Sequence, residues 1–184
     1  SDVYKRQEDI VIPELRSGQV LVKLAYSGVC HSQVMEVNGE RGPDRWLPHM
    51  LGHEATGRVV STGPAVTKVL VKDLVVLGWI KGKGCEAGGC QYSHKKMKIN
   101  AGGVTTFSDY AVVSENRLVK LPKGIPLDLG VLFGCALPTG AGLILNEIEP
   151  EAGSSVAVFG LGGIGLAALM AARTYDVTLI AVDI

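Results

Sequence analysis

Short runs in which apolar and polar residues alternate dominate the first two-thirds of the chain. The run "QVLVKLAY" (residues 19–26) follows the turn-forming "RSG" and predicts a half-buried β-strand. Similar runs, separated by glycine, proline and threonine, are "EATGRVVSTG", "DLVVLGWI" and "FSDYAVVSENRLVKLP", the last with a break at Asn116. Many short strands with this punctuation predict a compact, barrel-like β domain.

The pattern changes after Pro126, where the apolar residues take the spacing of helices. "PLDLGVLFGCALPTGAGLILNEI" predicts helices, with Pro138 just before a second helix start. "SSVAVFGLGGIGLAALMAARTYDVTLIAVDI" then predicts a strand, a glycine loop, a helix and another strand, the size of one βαβ unit. A β domain is therefore followed by the start of an α/β domain.

Charge and cysteine content exclude several classes of function. The chain has 18 lysines and arginines, 18 aspartates and glutamates, and no long basic run, which argues against a nucleic-acid partner. No apolar run is long enough to span a bilayer, so no membrane role is expected. Four cysteines fit the reduced thiols of a cytoplasmic protein, some of them metal ligands, better than a disulfide framework.

The sequence at both ends of the chain indicates a fragment of a longer protein. Residues 1–7 read as a non-native cloning or sequencing scar, because the chain runs from them directly into what resembles the middle of a domain. The last residues, "LIAVDI", form an apolar strand with nothing after it. A doubly wound sheet needs about six strands, so we expect little or no turnover from these residues alone.

The glycine loop "GLGGIG" predicts a dinucleotide site. Gly160, Gly162 and Gly165 stand in G-x-G-x-x-G register, with Gly163 among them, after an apolar strand and before an apolar helix. Glycines there allow a tight turn, close approach of backbone amides to a pyrophosphate, and close helix–strand packing. The structural alternative is a glycine-rich turn that binds nothing.

Asp183 predicts which dinucleotide is bound. It lies about twenty residues beyond the loop, at the end of the second predicted strand. A carboxylate there accepts hydrogen bonds from both ribose hydroxyls and repels a 2′-phosphate, which favours NAD over NADP.

Three isolated residues are candidate zinc ligands. Cys30 in "GVCHSQ" and His53 in "LGHEATG" lie at predicted strand–loop junctions, and Cys135 precedes the dinucleotide unit. Two thiolates and an imidazole with a fourth position open form a catalytic zinc set. Taken alone, each residue also fits a structural role, since cysteines are common in cores and histidines often form structural hydrogen bonds.

The block "EDIVIPELRSGQVLVKLAYSGVCHSQ…LPHMLGHEATGRVV…GCALPTGAG…VAVFGLGGIG…AVDI" resembles the zinc-dependent medium-chain alcohol dehydrogenases. The resemblance covers nearly everything from Glu8 to Ile184. It implies a GroES-like β-barrel catalytic domain over residues 8–125. The start of an NAD-binding Rossmann domain, truncated after its first βαβ unit, then occupies residues 126–184.

Residue roles follow from this resemblance. Cys30, His53 and Cys135 match the catalytic zinc ligands, and Glu54 matches the acid beside the metal. Ser32 takes the place of the hydroxyl that holds the substrate alcohol and starts the proton relay.

Two further positions match cofactor contacts in this family. Thr139 resembles the residue that lies against the nicotinamide. His31 resembles a contact to the cofactor pyrophosphate rather than a fourth metal ligand.

The resemblance implies an oxidoreductase that moves hydride between NAD and an alcohol or polyol, or the corresponding aldehyde or ketone. Zinc would polarise the substrate oxygen, and the nicotinamide would carry the hydride. The full-length protein is expected to be a cytoplasmic homo-oligomer. The alternatives are a zinc-free quinone or enone reductase and a non-catalytic binding protein that keeps the fold.

Three positions leave questions open. Met35 stands where some relatives have a histidine that passes the relayed proton to solvent. Lys72 replaces a glycine expected in a turn, which puts the local turn in doubt. Trp79 fits a substrate pocket and the β-domain core equally well.

The stretch "GCEAGGCQYSHKKM" occupies the place of a structural zinc lobe in many of these enzymes. The usual four cysteines are reduced to Cys85 and Cys90, with Gly88 and Gln91 at the other ligand positions. His94 adds one more candidate, but three mismatched groups do not form a closed tetrahedral site. We predict a metal-free remnant; a Cys85–Cys90 disulfide requires the glycines to bend the loop.

Overall fold

The computed structural model describes residues 7–184 and divides the chain into two compact units, one ending at Val131 and one beginning at Leu132. Apart from Gln7, the predicted scar lies outside the described residues. The predicted domain boundary between residues 125 and 126 stays a prediction.

The first unit is mainly antiparallel β-structure. Its elements are β1 (Gln19–Ser27), α1 (His31–Val37), β2 (Ala55–Thr62), β3 (Leu74–Leu77), β4 (Gln91–His94), β5 (Met97–Asn100), β6 (Tyr110–Ser114), β7 (Leu118–Lys120) and α2 (Leu127–Gly130). A 3₁₀ turn, Glu115–Arg117, separates β6 from β7. Five strands form one sheet in the order β6-β1-β2-β3-β7, and β4 pairs with β5 in a separate hairpin.

The predicted strands are confirmed, and so is the break at Asn116, which lies in the 3₁₀ turn. Alternate residues of β1, Val20 and Val22, are fully buried in the core of the sheet, as the period-two pattern predicts. Ser27, at the end of β1, pairs with Ala55, at the start of β2. This register brings the residues after β1 and the residues before β2 to one edge of the sheet.

The turn at Lys72 keeps the conformation that a glycine would favour. Lys72 has φ of 78°, in the left-handed region that residues other than glycine and asparagine rarely adopt. Its N–H donates to the Val59 carbonyl at 2.9 Å, and its own carbonyl accepts a bond from Arg58. Hydrogen bonds from the Lys72 N–H and from the Arg58 side chain therefore hold the turn despite the lysine.

The hairpin of β4 and β5 was not predicted. Lys95, in its turn, takes φ of 54°, whereas two-residue hairpin turns usually carry asparagine, aspartate or glycine. Packing holds the hairpin instead. Tyr92 is 1% exposed and its hydroxyl accepts the Val112 N–H at 2.7 Å.

The second unit contains α3 (Ala136–Leu143), a π-helical turn (Ile144–Ile148), β8 (Ser155–Phe159), α4 (Gly163–Ala172) and β9 (Thr178–Val182). β8 and β9 pair in parallel, which confirms the predicted βαβ unit. The second helix start differs from the prediction, since α3 begins at Ala136 and Pro138 lies inside its first turn. Proline is tolerated there because the first N–H groups of a helix have no partner within the helix.

Small residues let the elements of the second unit pack closely. Ala168, Ala171 and Ala172 of α4 are buried against Ile144 and Val156. A methyl group on Gly140 of α3 would lie 2.1 Å from the carbonyl oxygen of Ile164 in α4. The contact between the two helices therefore depends on a glycine at position 140.

In the part of the chain that the structure describes, no single helix has the length and apolarity to cross a membrane. One bent helix pair, Leu127–Gly134 with Ala136–Ile148, meets the criterion by length and composition alone.

Glu115 joins three loops of the first unit through its carboxylate. The side chain is 1% exposed, and its two oxygens accept the N–H groups of Thr67, Lys68 and Cys85 at 2.5–2.8 Å. Burial opposes ionisation, but the Cys85, Lys68 and Thr67 N–H groups outweigh it and hold the pKa of Glu115 below its usual value. The carboxylate therefore works as an ionised acceptor.

We predict that Glu115→Gln lowers the free energy of unfolding by about 2–3 kcal/mol, because an amide cannot accept on both sides and loses the charge-assisted bonds. The wild-type advantage is fully present above the usual glutamate pKa and is lost as the pH falls through the lowered pKa of the folded state. Urea unfolding at several pH values measures both effects. Glu14→Gln, at an exposed position, is the control, and an equal loss there contradicts the role given to Glu115.

Two glycines of α3 make a matched pair for a packing test. Gly140→Ala places a methyl group against the α4 backbone and should destabilise the second unit by about 1–3 kcal/mol. Gly142→Ala, whose nearest neighbour is the Asn146 amide nitrogen at 3.5 Å, should stabilise it by about 0.5–1 kcal/mol. Hydrogen exchange of α3 and α4 amides reads out both changes, and equal effects from the two would refute the packing argument.

His49 anchors the segment that joins α1 to β2. Its Nδ1 donates to the Met50 carbonyl at 2.8 Å, and its Nε2 lies 2.7 Å from Asp44 Oδ2 and 3.5 Å from Glu36 Oε1. Burial disfavours protonation, but the Met50 carbonyl, Asp44 and Glu36 outweigh it, so the pKa of His49 is raised. These contacts favour the protonated ring and link α1 to the segment that follows it.

Because the folded-state pKa of His49 is raised, its stabilisation should be complete below the unfolded pKa of about 6.5 and lost as the pH rises through the folded value. We expect the stability difference between wild type and His49→Gln to shrink as the pH rises from about 6.5 through the raised folded-state pKa. Chemical denaturation of both proteins across this range measures it. A difference that stays constant with pH would show that His49 contributes by packing alone.

Candidate functional site

Cys30 is the N-cap residue of α1, and hydrogen bonds with Gln33 hold its backbone. It is the residue before the first helical turn, with φ of −100° and ψ of 148°. Its carbonyl accepts the Gln33 N–H at 3.0 Å, and its own N–H donates to Gln33 Oε1 at 3.1 Å. This reciprocal pair has the form of a capping box and fixes the backbone that carries the thiol.

His53 lies just before β2, at the edge of the sheet where β1 ends. The Cys30 Sγ atom and a ring nitrogen of His53 lie within 4.8 Å of each other. The amide of Gln33 hydrogen-bonds His53 Nδ1. Within the first unit the structure therefore brings together two of the three predicted ligands, a thiol and an imidazole, which are ligands that zinc prefers.

The surroundings of His53 favour the neutral ring. Burial lowers its pKa below the usual value, and Arg41 acts in the same direction against the opposing effect of Glu36. A neutral imidazole is the form that binds a metal. The electrostatics of the first unit are thus compatible with ligation.

Ser32 contributes a buried hydroxyl to the same helical turn. Its Oγ is shielded from solvent and has no hydrogen-bond partner among the residues that the structure describes. A buried hydroxyl without a partner is costly, and such groups call for a ligand or an ordered water. This is the property expected of a residue that holds a substrate hydroxyl.

Glu54 is placed by the end of β1. The residue is 5% exposed, and its carbonyl accepts the Gly28 N–H at 3.1 Å and the Ser27 hydroxyl at 3.2 Å. A methyl group on Gly28 would lie 2.5 Å from Glu54 Oε1. The position of this carboxylate therefore requires glycine at position 28.

Three other residues from the sequence analysis lie outside the core of the first unit. His31 is exposed at the first position of α1, and Met35 is half-buried on the same helix. Trp79 is 47% exposed, so the interpretation that it fills the β-domain core is wrong. Its indole is available at the surface of the first unit.

Cys135 and Thr139 lie in the second unit. Cys135 is 8% exposed and precedes α3. Its carbonyl accepts both the N–H of Thr139, at 3.1 Å, and the Thr139 hydroxyl, at 2.7 Å. Thr139 therefore fixes the backbone that presents the Cys135 thiol.

The glycine loop has the geometry that its spacing predicts. Gly160 takes φ of 91°, and side chains at Gly160 and Gly162 would meet nothing within 4 Å, so the loop leaves open space. A methyl group on Gly165 would lie 1.8 Å from the Gly160 carbonyl oxygen. Gly162 directly precedes α4, whose first N–H groups suit a phosphate.

Asp183 accepts a hydrogen bond from the backbone of the glycine loop. Its Oδ2 accepts the Leu161 N–H at 2.6 Å, and its Oδ1 accepts the Ile184 N–H at 2.8 Å. The Leu161 bond is the main cause that lowers the pKa of Asp183. The residue is thus an ionised carboxylate that bonds to the backbone of the glycine loop, while its contact with a ribose stays a prediction.

The lobe cysteines lie in separate surroundings. The Cys85 Sγ lies close to Gly18, Cys90 is buried beside Tyr92, and His94 bonds the Asp9 carbonyl at 2.7 Å. Cys85 and Cys90 are both reduced. Among the described residues their ligand atoms do not converge with that of His94, and the metal-free lobe stays a prediction.

Sequence reasoning missed Gln33 and Gly28. Gln33 is the residue that contacts both Cys30 and His53, and the three-residue spacing from Cys30 to Gln33, typical of a capping box, was the signal for it. Gly28 gave no signal beyond being a glycine after a strand. Only the packing of the Glu54 carboxylate shows why it is needed.

Comparison with known proteins identifies relatives that contain both units. Residues 16–123 match the alcohol dehydrogenase GroES-like domain. The chain is 34% identical to an S-(hydroxymethyl)glutathione dehydrogenase of Synechocystis sp., over 90% of this chain and 51% of that protein. It is 33% identical to an S-(hydroxymethyl)glutathione dehydrogenase of Photobacterium damsela subsp. piscicida, with the same two coverages.

A solved structure shows the same fold. The benzyl alcohol dehydrogenase of Acinetobacter calcoaceticus superposes with a TM-score of 0.77 at 32% identity, over 95% of this chain and 54% of that one. The chain thus spans about half the length of the relatives it matches. The family match covers more than half of the described residues, and the predicted fold class is confirmed. The chain belongs to the alcohol dehydrogenase family with a GroES-like domain.

Proposed function

We propose that the protein is a zinc-dependent oxidoreductase that transfers hydride between an alcohol and NAD. The observation that carries this proposal is the arrangement of side chains around the first turn of α1. There Cys30 lies near His53, and the buried Ser32 hydroxyl has no partner in the described part of the chain. A soft ligand pair beside an unsatisfied hydroxyl supports a metal centre that receives an alcohol.

Cys135 is proposed as the third ligand. Two thiolates and one imidazole form a catalytic zinc set, and a soft donor set of this kind fits zinc better than magnesium or calcium. When bound, zinc would supply Lewis acidity toward the substrate oxygen, and NAD would supply the hydride acceptor.

The residues of this chain would orient the substrate and move its proton. The Ser32 hydroxyl can accept a hydrogen bond from the substrate hydroxyl and take its proton. Met35 has no titratable group, so the proton leaves through water or the nucleotide ribose rather than through that position. Glu54 would lie beside the metal, and Thr139 against the nicotinamide.

The second unit would bind the nucleotide. Open space at Gly160 and Gly162, together with the start of α4, supports a pyrophosphate site, to which His31 is proposed to contribute. Asp183, held ionised by the Leu161 and Ile184 N–H groups, favours ribose hydroxyls over a 2′-phosphate. These features support NAD over NADP.

The substrate is proposed to carry a primary hydroxyl group. Both kinds of relative are named after compounds with a hydroxymethyl or benzyl alcohol group, and this favours a primary alcohol among the alcohols and polyols considered. The exposed Trp79 could then offer an aromatic face to it. We also propose that the protein is a homo-oligomer. We propose that it lies in the cytoplasm, where cysteines stay reduced.

We predict that the full-length protein binds about one zinc per chain and forms NADH when an alcohol is added. Cys30→Ser should lose the zinc and lower the rate of alcohol oxidation roughly 100-fold or more. Metal analysis by mass spectrometry and absorbance of NADH measure the two effects. Cys85→Ser is the matched control, because it makes the same exchange in the lobe, and it should keep both zinc and activity.

The alternatives give different results in the same assays. A zinc-free reductase would reduce quinones or enones with no bound metal, and Cys30→Ser would leave its rate unchanged. A non-catalytic binding protein would show no NADH formation with any alcohol. Either result would overturn the proposed function.

A further inference from the structure

Gln33 lies between the two candidate ligands of the first unit. The residue is 6% exposed, and its side-chain amide faces the N–H of Cys30 on one side and Nδ1 of His53 on the other. Its one amide group therefore serves two neighbours. What each neighbour can donate or accept decides how the amide is oriented.

The backbone N–H of Cys30 fixes that orientation. A backbone N–H can only donate, so the Gln33 atom that faces it, at 3.1 Å, is the oxygen Oε1. The amide nitrogen then points at His53 Nδ1 and donates to it. In the neutral ring, Nδ1 is thus the acceptor and the ring proton is on Nε2.

Metal ligation needs the opposite arrangement. A histidine that binds a metal through one nitrogen usually donates the N–H of the other to a nearby oxygen. Since Gln33 occupies the Nδ1 side, the metal would bind Nε2, and Nδ1–H would then face the amide NH₂. Turning the amide over corrects this contact but places the NH₂ against the Cys30 N–H. In either orientation one hydrogen bond is lost.

We propose that Gln33 is a positioning residue that orients the His53 ring but opposes zinc binding through the polarity of its amide. The inference rests on the proposed zinc site. A carboxylate at position 33 has only acceptor atoms, so it can accept both the Cys30 N–H and a Nδ1–H of His53. The site with Gln33 therefore binds zinc more weakly than the same site with a glutamate.

The test compares zinc dissociation constants of full-length variants by competition with a chromophoric chelator. Gln33→Glu should bind zinc roughly 10–100-fold more tightly than wild type, and Gln33→Met, which cannot orient the ring, more weakly than wild type. A purely structural role predicts that Gln33→Glu weakens binding by burying a charge. Equal or weaker binding by Gln33→Glu would overturn the inference.

A control variant separates the effect of an added negative charge on zinc affinity from the effect of hydrogen-bond polarity. Asn146→Asp makes the same exchange of an amide for a carboxylate at an exposed position of the second unit, and its zinc affinity should equal that of wild type. The position of the ring proton is read directly from ¹⁵N-histidine spectra of the metal-free proteins, with His53→Asn for assignment. We expect the proton on Nε2 in wild type and on Nδ1 in Gln33→Glu. A proton on Nδ1 in wild type would contradict the inference.

The same measurements distinguish failure of the inference from failure of the proposed function. If Cys30→Ser binds zinc as tightly as wild type does, the proposed site is wrong and the inference falls with it. If Cys30→Ser loses zinc while Gln33→Glu binds it no more tightly than wild type, only the role of Gln33 is wrong.

Discussion

The antiparallel pairing of β1 with β2 is the constraint on which the candidate metal site in the first unit depends. The pair Ser27–Ala55 ends the ladder, so the chain leaving β1 and the chain entering β2 share one edge of the sheet. Cys30 lies shortly after the end of β1 in the sequence, and His53 lies shortly before the start of β2. Residues far apart in sequence therefore become neighbours, and Gly28 lets the Glu54 carboxylate pack against the same turn.

Hydrogen bonds to buried side chains position the lobe around β4 and β5. Tyr92 is buried and bonded to the backbone of β6, while Glu115 and Ser114 hold the backbone of Cys85 and Ala87. These hydrogen bonds hold the lobe through residues that lie outside it, whereas a metal ion would hold it through side chains of the lobe itself. This explains why the cysteines of the lobe have unrelated neighbours.

Much of the fold and part of the site could be predicted from the sequence. Period-two patterns identified the strands of the main sheet, and the glycine spacing identified the βαβ unit, because both follow from local geometry. The β4–β5 hairpin escaped notice because the lysine at position 95 is not typical of such turns. Gln33 was missed because its importance depends on a contact with His53, twenty residues away, which no local pattern records.

The bond between Asp183 and the Leu161 N–H has a consequence for redesign. One carboxylate bonds the glycine loop and is also the group proposed to accept the ribose hydroxyls. Exchanging it for a small or neutral residue, so that a 2′-phosphate is no longer repelled, also removes the acceptor that holds the loop. If Asp183 binds the ribose as proposed, nucleotide choice and loop order depend on the same side chain. An engineered change of preference would need a new acceptor for the amide of Leu161.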